Sequence, residues 1–162
     1  MLWCFTRCFV RSSPGRQRFN VLAALNAISH ELVMVTNDTY INASSIGELL
    51  HKIVALNLNV PITVILDNAK YQKCQIVWAL AKSLHIELLY LPTYSPNLNL
   101  IERLWKFVKK QCLYSVYYPS FLDFKNAIST CLSQTTTTHK TALSSLLTLN
   151  FQTFTNVDII QR

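Results

Sequence analysis

Apolar and polar positions change their period several times along the chain, and each change marks an element. Phe19–Ile28 (FNVLAALNAI) and Leu32–Thr36 (LVMVT) are apolar-rich runs joined by Ser29, His30 and Glu31, which predicts a strand–turn–strand hairpin. Asn37-Asp38 is a turn signal. Beyond it, Asn42 or Ser44 stands as a helix N-cap, and Ile46, Leu49, Leu50, Ile53, Val54 and Leu56 recur at helical spacing to about Asn57. Pro61 restarts the chain. Ile62–Leu66 (ITVIL) is a short unbroken apolar run ending at Asp67, and such continuity predicts a strand covered on both faces. Tyr71–Leu84 reads as a helix with Ile76, Val77, Leu80 and Leu84 inward, and Ile86–Leu91 (IELLYL) returns to strand. In the stiff P-T-Y-S-P turn, Ser95 and Pro96 fit the N-cap and first residue of a helix running to about Cys112. A further helix covers Ser120–Leu132. Ser133–His139, with four consecutive threonines, is a connection, and Ala142–Phe154 is an apolar stretch that packs back. Hairpin, helix, strand, helix, strand, helix is the order of an α/β domain.

Composition narrows the class. The 162 residues suffice for one ordinary domain, and a hydrophobic fraction of 51% with mean hydropathy +0.23 excludes wholesale disorder. No apolar run reaches the length of a membrane-spanning helix. Met1–Val10 is apolar but carries Arg7 and lacks a small-residue cleavage site, unlike a secretory signal. The net charge of +7 and pI near 9.3 suggest an anionic partner, with nucleic acid the first candidate, although an ordinary basic protein fits the charge equally well. Cys4, Cys8, Cys74, Cys112 and Cys131 form no C-x-x-C pair, and the four histidines lack ligand spacing, which points to plain thiols in a reducing compartment.

With only eight acids, carboxylate chemistry has few sources. Asp67 stands at the carboxyl end of a predicted strand, where α/β proteins gather catalytic groups, and a loop aspartate capping the next helix is the competing reading. Glu102 borders the helical stripe Leu98, Ile101, Leu104, Trp105, Val108 and Cys112; a surface ion pair with Lys106 is its competing reading. Two such acids facing one cleft suit magnesium, a hard cation with oxygen ligands, and Lys70, Lys73, Arg103, Lys106, Lys109 and Lys110 suit a phosphodiester. Trp105 and Trp78 read as core anchors. Arg16 and Arg18 fit a DNA backbone or a solvated turn. Tyr94 fits base stacking or packing, and Asn68 and Asn97 fit carboxylate orientation, phosphate contact or helix capping.

The strings V-I-L-D-N-A-K-Y and L-Y-L-P-T-Y-S-P-N-L-N-L-I-E-R-L-W-K resemble the catalytic core of the DDE transposases, most closely the bacterial insertion-sequence members of the mariner-like superfamily. Thirty-four residues lie between Asp67 and Glu102, the spacing of the family's second and third acids, and S-P-G-R-Q-R with F-N-V-L-A-A-L extends the similarity over about Pro14–Phe154. The resemblance implies a ribonuclease-H-like mixed sheet flanked by helices and a catalytic domain over 1–154 with a tail at 155–162. It implies DNA cleavage and strand transfer at a two-ion magnesium (or manganese) site. Asp67 and Glu102 would be its catalytic, metal-holding acids, supported by Asn68, Ser95 and Asn97. Arg16, Arg18, Lys70, Lys73, Tyr94, Arg103, Lys106, Lys109 and Lys110 would face DNA. The implied partners are element ends and target DNA in a homo-oligomeric complex, with no membrane, in the cytoplasm and at the nucleoid.

The sequence departs from the family pattern in one respect. The family's first aspartate lies on a central strand ahead of the stretch matching Pro14 onward, and no acid precedes Glu31 here. Asp38 is in the wrong place to substitute. The expectation is therefore a carboxyl-terminal part of a transposase, lacking the first central strand and weakly active or inactive alone. A separately encoded amino-terminal half or a full-length relative would be its partner. The alternatives are a non-catalytic DNA-binding remnant and a ribonuclease-H-like nuclease. Met1–Val10 is apolar enough to fill the strand gap; otherwise two strand edges and an apolar patch lie open to association.

Overall fold

The computed structural model describes residues 17–93 and 95–151. The hairpin forms as expected: β1 (Asn20–Leu25) pairs antiparallel with β2 (Leu32–Asn37), Leu22 opposite Val35 and Ala24 opposite Val33. Asn26 shapes the turn. Its side-chain oxygen accepts from the N–H groups of Ile28 and Ser29, and its own N–H donates to the Glu31 carbonyl. Because side chains alternate across a strand, the hairpin has two apolar faces. Leu22, Ala24, Val33 and Val35 pack toward α1, while Val21, Leu25, Leu32 and Met34 pack against the carboxyl-terminal helices.

Helix α1 (Ala43–Val54) begins where Asn42 predicts. The Asn42 side chain accepts from the Ser45 N–H at 3.1 Å, and the Ser45 hydroxyl closes a reciprocal capping box. Ile46, Leu49, Leu50 and Ile53 are buried on one side, whereas Leu56 lies past the helix end and is exposed. Strand β3 (Ile62–Leu66) and β4 (Ile86–Tyr90) form a parallel pair, Ile62 opposite Ile86 and Leu66 opposite Tyr90. They are bridged by a one-turn 3₁₀ helix (Lys70–Gln72) and α2 (Gln75–Ser83). Ile62, Val64, Ile86 and Leu88 pack with Ile46, Leu50, Val77 and Ala81 beneath the pair.

Three expectations need correction. The ITVIL strand is covered on one face only: Ile65 is 53% and Leu89 47% exposed on the other, because no described helix lies over it. Ile76 and Trp78 face outward rather than inward. The α2 helix turns only Val77 and Ala81 fully into the core, and the Trp78 indole N–H donates to the Tyr90 hydroxyl at 2.7 Å. The helix carrying Glu102, α3 (Leu100–Cys112), starts not at Pro96 but after a 3₁₀ turn (Pro96–Leu98), with Asn99 as N-cap accepting from the Ile101 N–H.

Helix α3 buries Leu104, Val108 and Cys112 against α4 (Phe121–Ser133) and α5 (Lys140–Leu146), through Ile128, Cys131, Leu132, Leu143 and Leu147. Trp105 packs at the rim of this cluster, as a core anchor should. Burial and the neighbouring Cys112 push the Cys131 thiol up to about 12, so it stays protonated in the interior.

The described strands form two separate two-stranded sheets, β1–β2 and β3–β4, with no strand bonded between them. Both rest on α1, since Val33, Val35, Ile62 and Val64 surround Leu49 and Ile53. Twelve residues of α1 rise about 18 Å, roughly the length of a five- or six-residue strand. Met1–Val10, the candidate for the gap between the sheets, lies outside the described residues. Among the described helices, none is long and apolar enough to cross a membrane.

Candidate active site

Asp67 directly follows β3, and its position is fixed by the main chain around it. The Leu91 N–H donates to the Leu66 carbonyl at 2.9 Å, extending the parallel ladder one step past the strand ends. Asn68 then turns with φ 78°, a left-handed conformation that asparagine tolerates better than most residues. Its side-chain amide donates to the Leu91 carbonyl at 3.1 Å and ties the end of β3 to the end of β4. The Asn68 side-chain oxygen is buried without a partner among the described residues.

The capping role considered for Asp67 is not used: the Lys70–Gln72 turn is preceded by Ala69, α2 is capped at Cys74, and no described hydrogen bond engages the Asp67 side chain. Its carboxylate is exposed and close enough to Tyr71 to act on it. Burial raises the Tyr71 phenol above its ordinary value, the Asp67 charge raises it further, and a hydrogen bond with Gln72 offsets part of the rise. Replacing Asp67 with Asn removes the charge and is expected to lower the Tyr71 pKa. Spectrophotometric tyrosine titration, with Tyr71→Phe to assign the step, checks the direction.

Glu102 sits in the first turn of α3, half-buried, its N–H donating to the Asn99 carbonyl at 3.2 Å. An acid in a first turn is favoured by the helix dipole. Asn99-Leu100-Ile101-Glu102 has the form of a capping box, whose second half would be Glu102 reaching back to the Asn99 N–H, but no such bond is made among the described residues. The ion pair with Lys106 is also unmade there: the described salt bridges are Lys52–Glu48 and Lys125–Asp38. Thus neither carboxylate has a hydrogen-bond or ion-pair partner among the described residues. The segment from Leu91 to Asn99 leads from the strand edge at Asp67 into the first turn of α3.

The other candidates are placed as follows. Lys70 and Lys73 are exposed just beyond Asp67, with the Lys73 ammonium 5.2 Å from the Tyr90 ring centre. Lys106, Lys109 and Lys110 are exposed on α3. The Arg103 guanidinium donates to the carbonyls of Leu146 (3.3 Å) and Thr148 (2.8 Å) and so ties α3 to the end of α5. Ser95 is half-buried and its hydroxyl reaches the Thr93 carbonyl only at 3.5 Å; Asn97 is exposed in the 3₁₀ turn. Arg18 is exposed beside Tyr40. Arg16 and Tyr94 lie outside the described residues. Sequence reasoning missed Asn99 and Tyr71. The N-L-I-E spacing signalled the first, whereas nothing in the sequence marked the second.

Two oxygen donors suit a hard divalent cation, and no group of three or more histidine, cysteine or acidic side chains gathers among the described residues.

A sequence model of the family described as DDE superfamily endonuclease matches residues 6–125. No curated protein matches the chain. Among solved structures, a chain of the simian T-cell lymphotropic virus intasome in complex with PP2A regulatory subunit B56 gamma aligns at TM-score 0.51 and 18% identity, over 73% of this chain and 46% of that one. This chain therefore spans less than half the length of that structure's chain. The HTLV-2 integrase catalytic core domain in complex with magnesium aligns at TM-score 0.47 and 16% identity, over 73% of this chain and 82% of that one. The catalytic domain of Mos1 mariner transposase aligns at 0.48 and 14%, over 84% and 82%. At these identities the likeness is one of fold, and the intasome alignment carries it: the mixed α/β arrangement is the ribonuclease-H-like one expected from the sequence.

Proposed function

The chain belongs to the DDE superfamily endonuclease family, and on that premise we propose that it is the phosphoryl-transfer part of a mariner-like DNA transposase, with Asp67 and Glu102 as two of its metal-holding carboxylates. One observation carries the reading: within the matched stretch, neither acid is spent on a cap or an ion pair among the described residues. An acid at the end of β3 and a second in the first turn of α3, neither with a partner among the described residues, are available for a cation. Magnesium, when bound, supplies Lewis acidity at phosphoryl oxygens. The chain's own residues bind and orient. Asn68 holds Asp67 at the strand edge, Asn99 sets the first turn of α3 that presents Glu102, and Lys70, Lys73, Lys106, Lys109 and Lys110 neutralise phosphates. Arg103, engaged with two carbonyls, serves α3 packing more than DNA. The DNA substrate is an element end, and the working assembly is oligomeric.

The thirty residues before Glu31 hold no carboxylate, so this chain supplies two of the three acids that the resemblance implies. Nicking of element-end DNA in magnesium by the 162-residue chain alone is therefore expected to be weak or absent. Robust cleavage would contradict the two-acid reading. The same missing acid favours a second reading, a non-catalytic DNA-binding remnant. Salt-sensitive DNA binding that survives Asp67→Ala with Glu102→Ala, in a chain that binds no magnesium, would decide for it.

A further inference from the structure

A cleft of about 620 Å³ opens where the start of β1, the end of β2 and the start of α4 meet. Its walls combine aromatic, apolar and cationic groups drawn from distant parts of the chain. The Arg18 guanidinium lies 4.9 Å from the centre of the Tyr40 ring, and Tyr40 is 71% exposed. Across the cleft stand Phe121 and Leu122, the latter 64% exposed. Lys125 is fixed between them: its ammonium binds both Asp38 carboxylate oxygens, at 2.9 and 3.0 Å, and lies 5.2 and 5.6 Å from the ring centres of Phe19 and Phe121. Asp38 and Lys125 neutralise each other. Arg18 has no carboxylate within salt-bridge distance among the described residues, so the described lining carries one net positive charge.

We propose that this cleft binds single-stranded DNA, with one unpaired base stacked against the Tyr40–Arg18 pair and its backbone phosphate held by Arg18. Two observations select this ligand. A large exposed aromatic ring paired with a guanidinium is a stacking platform that any base fits, while a net positive charge suits the accompanying phosphate. The volume falls in the roughly 300–1,000 Å³ range of small-ligand clefts, enough for one nucleotide. The site lies at the carboxyl end of β2, and neither Asp67 nor Glu102 lines it. This deepens the proposed function, on which it rests for the choice of DNA: the cleft grips a strand already separated from its complement, away from the acids.

The test is binding of a short single-stranded oligodeoxynucleotide carrying 2-aminopurine to the full chain, without divalent metal. Stacking should quench the fluorescence. Tyr40→Ala should weaken binding about 5- to 150-fold and abolish the quench, as loss of one aromatic stack does. Arg18→Ala should weaken binding and reduce the salt dependence by roughly 0.7 in log–log slope, the value for one phosphate contact on a single strand. Tyr114→Ala, at another exposed tyrosine, should leave both readouts unchanged. The proposal is overturned if Tyr40→Ala and Arg18→Ala bind within twofold of the parent. Equal loss in Tyr114→Ala, or equally tight binding of the duplex form of the oligonucleotide, would also overturn it. Magnesium titrations keep the two ideas apart. Loss of magnesium binding in a variant carrying Asp67→Asn and Glu102→Gln, with stacking at Tyr40 in the parent chain, supports both, and intact acids with no stacking rejects the cleft alone.

Discussion

Asp67→Asn and Glu102→Gln, made singly, are each expected to weaken magnesium binding by at least about tenfold, and the double variant to bind none measurable by calorimetry. The floor comes from metal sites in general, where removing a residue that merely orients a ligand already costs roughly 10- to 100-fold in affinity. Removing a ligand itself should cost no less. Both substitutions are nearly isosteric, and both positions are solvent-accessible, so the fold should survive. Asp67 is exposed and Glu102 half-buried, and neither makes a described side-chain bond whose loss would unfold the protein. The losses should also be non-additive. If the two carboxylates share one ion, the second substitution has little left to remove. Two independent and additive decrements would instead mean two unrelated surface sites.

The second large effect concerns the helix that carries Glu102. Leu104 is fully buried, two residues after Glu102 on α3, in the cluster that joins α3 to α4, α5 and the hairpin. Leu104→Ala leaves a cavity there and is expected to cost about 2–5 kcal/mol. Set against total stabilities of about 5–15 kcal/mol, that is a large share. Urea unfolding should show a lower midpoint with an unchanged slope. Ile76→Ala, on a side chain 72% exposed, should stay within about 0.5 kcal/mol of the parent. If the two behaved alike, the placement of α3 in the core would be wrong, and with it the basis for holding Glu102 at the edge of the sheet.

Much of this architecture was readable from residue order. The hairpin, the Asn42-capped helix and the ITVIL and IELLY strands each follow from local periodicity and turn chemistry, which a short segment contains whole. The errors occur where the deciding contact lies elsewhere in the chain. An unbroken apolar run cannot say whether one face or two will be covered, and Ile65 and Leu89 are bare because no described element crosses them. Trp78 reads as core by hydrophobicity, yet its indole N–H finds Tyr90 at the surface. At α3 two start signals competed. Ser95-Pro96 led into a 3₁₀ turn, and Asn99, accepting from the Ile101 N–H, made the true N-terminus. The candidate acids themselves were named by motif and spacing, but the freedom of their carboxylates was visible only once the caps and ion pairs around them were accounted for. Arg18 was named from the resemblance, but its meeting with Tyr40 and Lys125 left no trace in the sequence, since these residues lie far apart along the chain.

Paramagnetic relaxation by manganese reports directly on whether Asp67 and Glu102 serve a single cation. In amide spectra of the full chain titrated with Mn²⁺, the signals of Asp67 and Glu102 should broaden together at the lowest additions, ahead of Glu48 and Glu87, and recover together when excess magnesium is added. Broadening of one without the other, or of neither before the remaining surface acids, would contradict a shared site.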